Sequence, residues 1–137
     1  MKRVVFAWLI ADGDMHLKNM AVLKVAEPGN PTFSSVRLAP VYDTLTTRVF
    51  PRLEHDRMAL KLNGRDERLR RADFLAVSAT AGLRASDTHA AIDDVLDRLR
   101  DAVATINLPI LPGYGPSGEL TVARTLAICR ERMASFA

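Results

Sequence analysis

The chain has 137 residues, 48% of them hydrophobic, enough for one cored domain and too few for two of ordinary size, so a single unit over residues 1–137 is expected. Nineteen Lys and Arg against 16 Asp and Glu leave a formal charge of +3, too small an excess to designate a nucleic-acid binder. The single cysteine, Cys129, excludes an internal disulfide and the His and Cys positions lack zinc spacing, which makes a reducing, cytoplasmic setting the default expectation.

In chain order, the first feature is an apolar stretch over residues 4–11. It is too short to span a bilayer and carries no cleavage-site pattern, so no membrane association is expected. Val4, Val5, Trp8 and Leu9 stand at helical spacing and Gly13 breaks the pattern, which predicts a helix, anchored in the core by Trp8, feeding a polar loop over residues 12–19. Residues 20–25 are apolar and β-branched, Glu27-Pro28-Gly29-Asn30-Pro31 is dense in turn formers, and a second extended run lies near residues 36–39. Together they predict a β-hairpin.

Residues 48–71 hold eight basic side chains against four acidic ones, with Phe50 as the one aromatic. That composition points to a solvated face or a docking surface for an acidic partner, and no direct nucleic-acid binding is expected. Within it, Met58-Ala59-Leu60-Lys61-Leu62-Asn63-Gly64 reads as a short strand closed by a turn. His55 and His89 have no ligand spacing, so neither is assigned to a metal.

The remainder is helical in pattern. Asp73 is the expected cap of a helix reaching about Ala81, with Gly82 as its left-handed stop. Ser86 is the expected cap of the next, whose Ile92, Val95, Leu96, Leu99, Val103 and Ile106 form one apolar stripe ending before Pro109. A last helix over about 117–134, capped by Ser117, places Val122, Leu126, Cys129 and Met133 on one side, with Arg124, Arg130 and Arg132 largely away from it. Gly113-Tyr114-Gly115-Pro116-Ser117-Gly118 spells a dinucleotide fingerprint, but it follows Pro109 and Pro112 in place of a buried strand and reads as a turn and helix start.

The chemistry concentrates in Asp14-Met15-His16-Leu17-Lys18-Asn19. Asp and Asn at this separation reproduce the spacing of a protein-kinase catalytic loop, in which the Asp orients a substrate hydroxyl and the Asn binds magnesium. Phosphoryl transfer asks the protein mainly to position the acceptor and neutralise charge, so one loop suffices if both ends face one pocket. Asp43 follows the predicted hairpin, which can return it beside Asn19 as a second magnesium ligand. Asp12 is read as a capping or turn residue, and Tyr42 as packing beneath Asp43.

Phe6-Ala7-Trp8-Leu9-Ile10-Ala11-Asp12-Gly13-Asp14-Met15-His16-Leu17-Lys18-Asn19, then Leu38-Ala39-Pro40-Val41-Tyr42-Asp43 and the later residues 58–64, resemble the C-terminal region of HipA family serine/threonine kinases. The resemblance implies a mainly α fold with a small β-hairpin, the helical C-lobe of a protein-kinase-like α+β fold whose N-lobe is missing from these residues. It implies Asp14 as catalytic base, Asn19 and Asp43 as magnesium ligands, and His16 and Lys18 near the phosphates of ATP. It further implies a toxin–antitoxin module, with an aminoacyl-tRNA synthetase as protein substrate and a DNA-binding antitoxin as partner. The sequence departs from the family pattern in two ways. Asp12 stands where the family commonly has Asn, and no glycine-rich phosphate loop or ATP-anchoring Lys precedes the loop, so little kinase activity is expected of the isolated chain. Two rivals stand beside the kinase: a non-catalytic remnant or split-kinase subunit working through a partner, and a metal-dependent phosphohydrolase using Asp12, Asp14, His16 and Asp43.

Overall fold

The computed structural model describes residues 1–107 and 115–136, with side chains from Thr121 onward in the second stretch. Pro109, Pro112 and the opening Gly113-Tyr114 of the fingerprint lie outside the described residues, and Gly115 begins the last helix.

Four helices and one two-stranded antiparallel hairpin make up the described architecture: α1 (Lys2–Leu9), β1 (Val22–Val25), β2 (Ser35–Leu38), α2 (Arg71–Thr80), α3 (Ala85–Thr105) and α4 (Gly115–Phe136). Short 3-10 turns stand at Leu17–Asn19 and Thr47–Val49. The fold is thus mainly helical with a small hairpin, as its sequence periodicities predict. Among the described residues, no helix is long and apolar enough to cross a membrane.

Helix α1 is the hub. Val5, Ala7, Trp8 and Leu9 are all buried, nearly a full turn of apolar surface, because α3 and α4 both pack against it. Helix α3, about 31 Å long at the usual rise, contributes Ile92, Val95, Leu96, Leu99 and Val103 to the core. Its solvated face is laced by Arg84–Asp87, Asp94–Arg98 and Asp97–Arg100 pairs. Exposed helix pairs of this kind contribute a few tenths of a kcal/mol each, so the apolar stripe decides the packing. Phe74 of α2 is fully buried and meets the Phe136 ring edge-on at 5.1 Å, joining α2 to the end of α4. Cys129 and Met133 lie in the same core.

Several local expectations need correction. Residues 58–64 form no strand: Leu62 and Arg65 make only an isolated bridge, since Gly64, at φ +75°, turns the chain at once. Asp73 sits inside the first turn of α2, where its Oδ2 accepts the Arg70 N–H at 2.7 Å, so the helix begins three residues earlier than a cap at Asp73 requires. Gly82 has the left-handed φ of +70° expected of a helix stop. Ser86 lies within α3, which starts at Ala85, and Ile106 falls beyond the last turn and is exposed. Helix α4 starts at Gly115, ahead of Ser117. Arg132 does not turn away from the core: its guanidinium stacks 3.7 Å above the Trp8 ring.

Candidate functional site

The loop of interest begins where α1 stops. Ala11 takes a left-handed φ of +56°, its N–H donates to the Trp8 carbonyl at 3.1 Å, and the Asp12 N–H reaches back to the Ala7 carbonyl at 2.9 Å. These two bonds and the left-handed residue make a Schellman ending, with alanine where glycine is usual. The reversal drives Asp12 inward and leaves Asp14 exposed.

The loop is braced from two sides. Thr47 Oγ1 accepts the Gly13 N–H at 2.9 Å and donates to the Ala11 carbonyl at 3.1 Å. The Gly13 and Met15 carbonyls accept the Ala59 and Leu60 N–H groups at 2.8 and 2.9 Å. The segment read as a strand therefore gives the loop two backbone bonds in place of a ladder. Gly13 is required by closeness alone: a Cβ there would stand 1.9 Å from Asp56 Oδ2 and 2.6 Å from Thr47 Oγ1.

At the far end, the 3-10 turn buries Asn19. Its Oδ1 accepts the His16 N–H at 2.8 Å and its Nδ2 donates to Asp43 Oδ2 at 2.7 Å. The hairpin register, Val22 opposite Leu38 through Val25 opposite Ser35, returns the chain from residue 38 to the level of residue 22, which puts Asp43 within reach. Asp43 itself has a φ of +51°, a conformation that a non-glycine residue holds only when its surroundings impose it. Part of that imposition comes from Arg3. Its guanidinium donates to the carbonyls of Asn19 (3.1 Å), Ala39 (3.2 Å) and Pro40, and lies 5.5 Å from the centre of the Tyr42 ring. Tyr42 does not pack beneath Asp43 as expected. It stays partly exposed and its hydroxyl donates to the Lys18 carbonyl at 2.8 Å, closing loop against hairpin a second time.

Asp14 and Asp43 are both near enough to Asp12 for their charges to act on it. Asp12 is buried, 1% exposed, with neither oxygen in a hydrogen bond of good geometry among the described residues. Burial pushes its pKa up to about 6, helped by the negative charges of Asp14 and Asp43 and opposed by the nearby backbone N–H groups of Asp14 and Leu45. His16 is half-buried with Nδ1 unpartnered, and the Lys18 side chain is exposed. Among the described residues no three of His, Cys, Asp and Glu stand close enough to hold a metal by themselves. The Asp12, Asp14, His16 and Asp43 set of a phosphohydrolase is not assembled.

A family model described as HipA-like C-terminal domain matches residues 1–103. The chain belongs to that family. The match includes all of the loop, the hairpin and Asp43. No curated protein and no solved structure matches the chain. Within this HipA-like domain, the structure brings Asn19 and Asp43 into direct contact and holds Asp14 on the same loop. The clamps leave no local signature, since Arg3 works across 37 positions and Thr47 across 34.

The pair has the oxygens that a magnesium ion needs. Asn19 Oδ1 keeps a second lone pair after accepting from His16, and Asp43 Oδ1 has no hydrogen bond among the described residues, so each residue retains an oxygen for a hard cation. Magnesium is normally held by one or two protein oxygens with waters and phosphates completing the shell, and the pair fits that demand.

Proposed function

We propose that this HipA-like domain is the catalytic-loop half of a serine/threonine protein kinase of the toxin–antitoxin type. The observation that carries the reading is the 2.7 Å contact between Asn19 and Asp43, made across 24 residues, with the exposed Asp14 carboxylate on the same loop as Asn19. In this reading, Asp14 holds the hydroxyl of a protein substrate, an aminoacyl-tRNA synthetase by family likeness. Asn19 and Asp43 hold magnesium, which when bound with ATP neutralises charge on the phosphates. His16 and Lys18, on the same loop, face the phosphates. The buried Asn19, fixed from both sides of its amide, keeps the two ligands in register before nucleotide arrives, which is the positional part of the catalysis.

No glycine-rich phosphate loop precedes Asp14 in the sequence, and among the described residues no Lys is paired with a helix Glu. The ATP grip therefore comes from outside these residues, either from another part of the same polypeptide or from a partner. The exposed apolar side chains of the hairpin, Val22, Val25, Val36 and Leu38, favour such a complement packing there. The same surface supports the split-kinase reading, in which the domain works only in a complex, with a DNA-binding antitoxin as a further partner.

The test is phosphate transfer from radiolabelled ATP to protein serine or threonine. The domain alone is expected to transfer none and to bind ATP weakly. Joined to the segment encoded directly upstream, it is expected to transfer phosphate in a magnesium-dependent way, with D14N and D43N each losing at least about 100-fold. Tight magnesium-dependent ATP binding by the domain alone would refute the division of labour. Full activity of D14N would refute the assignment itself.

A further inference from the structure

A cavity of about 410 Å3 lies apart from Asp14, Asn19 and Asp43, none of which lines it. It opens between Trp8 of α1, Arg48, the segment 67–70 and the last turns of α4. Arg48, Arg68, Arg70 and Arg132 line it against two carboxylates, Glu67 and Glu131.

The partners of these groups make the imbalance effective. Glu67 is shared, with Oε1 3.7 Å from Arg48 Nη2 and Oε2 3.5 Å from Arg57 Nε. Among the described residues, Arg68 and Arg70 have no carboxylate partner. Arg48 donates through Nε to the Asp56 carbonyl at 2.8 Å, yet its Nη2 is buried with no hydrogen-bond acceptor. Glu67 is too distant to serve, and a buried donor left unsatisfied is costly. Arg132 is fixed by its stack on Trp8 and by a 3.3 Å bond to the Trp8 carbonyl. Burial first, and then the neighbouring Arg48 charge, push its pKa down to about 10, so it stays charged at neutral pH beside a like charge. Arg68 holds a left-handed φ of +51° at the rim, the kind of local strain that collects at ligand sites.

A dianion would give Arg48 Nη2 the acceptor it lacks and offset the unpaired guanidinium charges. Tetrahedral phosphate oxygens accept from several guanidinium forks, which suits arginine better than lysine. The volume exceeds that of a bare phosphate and lies within the range of small-molecule pockets, while Trp8 and Leu69 offer apolar wall for a carbon skeleton. We propose that this cavity is a binding site for a small phosphate monoester, gripped by Arg48, Arg68, Arg70 and Arg132. The site is separate from the phosphoryl-transfer reading and does not depend on it.

Trp8 is the sole tryptophan and lines the cavity, so its fluorescence reports occupancy. The full chain is titrated with glycerol 3-phosphate at constant ionic strength balanced by sodium chloride. A saturable change is expected with half-saturation at or below the millimolar range, weakened at least about ten-fold in R68Q/R70Q, whose exposed side chains leave the fold intact. R48K, which keeps the charge and removes the fork, is expected to weaken binding as well, and D43N to bind like the unaltered chain. No saturable response, equal binding by R68Q/R70Q, or loss of the response in D43N would each overturn the proposal.

Discussion

The catalytic-type loop and the hairpin beside it invert the usual relation between residue type and burial. The loop is rich in polar residues, yet Asp12, Gly13 and Asn19 are buried in it, and Asp12 is buried without a hydrogen bond of good geometry among the described residues. The hairpin is rich in apolar residues, yet every residue of both strands is exposed. A chain optimised only for stability would do neither, because burying an unpaired carboxylate is costly and exposed apolar surface contributes nothing to folding. The loop buries a carboxylate at a cost in stability, and the hairpin leaves its apolar side chains on the surface. The two regions meet at Arg3 and at the Asn19–Asp43 contact.

The largest expected effect breaks the loop's side of this contrast. With its pKa near 6 in the fold and 3.8 as a free side chain, Asp12 binds its proton more tightly when folded. Its favourable contribution is therefore complete below about pH 4 and is lost as pH rises through 6. D12N, which does not titrate, should gain on the order of 3 kcal/mol over the unaltered chain between pH 4 and pH 7.5. Denaturant melts at both pH values check this, and a gap that stays constant with pH contradicts it.

Next in size is G13A, whose methyl group would collide with Asp56 and with the bonded Thr47 hydroxyl. A loss of about 2 kcal/mol, or roughly 8 °C in Tm, is expected from such overpacking. R3A should follow, at about 1–2 kcal/mol, because three carbonyls lose their donor. Hydrogen exchange sharpens that prediction: amides around residues 19–20 and 39–43 should lose protection while those of α3 keep theirs. Smallest is V36T/L38T on the exposed strand face, expected to change stability by less than about 0.5 kcal/mol by thermal melt. A large loss there would mean the hairpin already packs against something in the isolated chain.

Much of the scaffold was legible because it rests on local periodicity. The α3 stripe from Ile92 to Val103 and the α4 residues Cys129 and Met133 face the core as their spacing predicts. The hairpin followed from turn formers, among which Gly29 does take φ +79° and Asn30 Oδ1 accepts the Thr32 N–H. The alternation of Met58, Leu60 and Leu62 is real in burial, but it was misread as a strand because only two backbone bonds reach the loop. What stayed hidden depends on contacts far apart in sequence. Nothing in a Lys-Arg pair at positions 2 and 3 announces a clamp on residue 40, and a helical arginine at 132 gives no sign of stacking on Trp8. Asp12 was missed for a related reason, since its neighbours in sequence suit a turn and only the Schellman reversal at Ala11 sends it inward.

The most direct test of the central claim is paramagnetic broadening by manganese in a 1H–15N spectrum of the chain, with manganese standing in for magnesium. The account predicts that the Asn19 side-chain amide and the backbone amides of Asp43 and Asp14 broaden first, and that N19A and D43N abolish the effect. Broadening spread along the acidic face of α3, with the Asn19 and Asp43 signals unchanged, would contradict it.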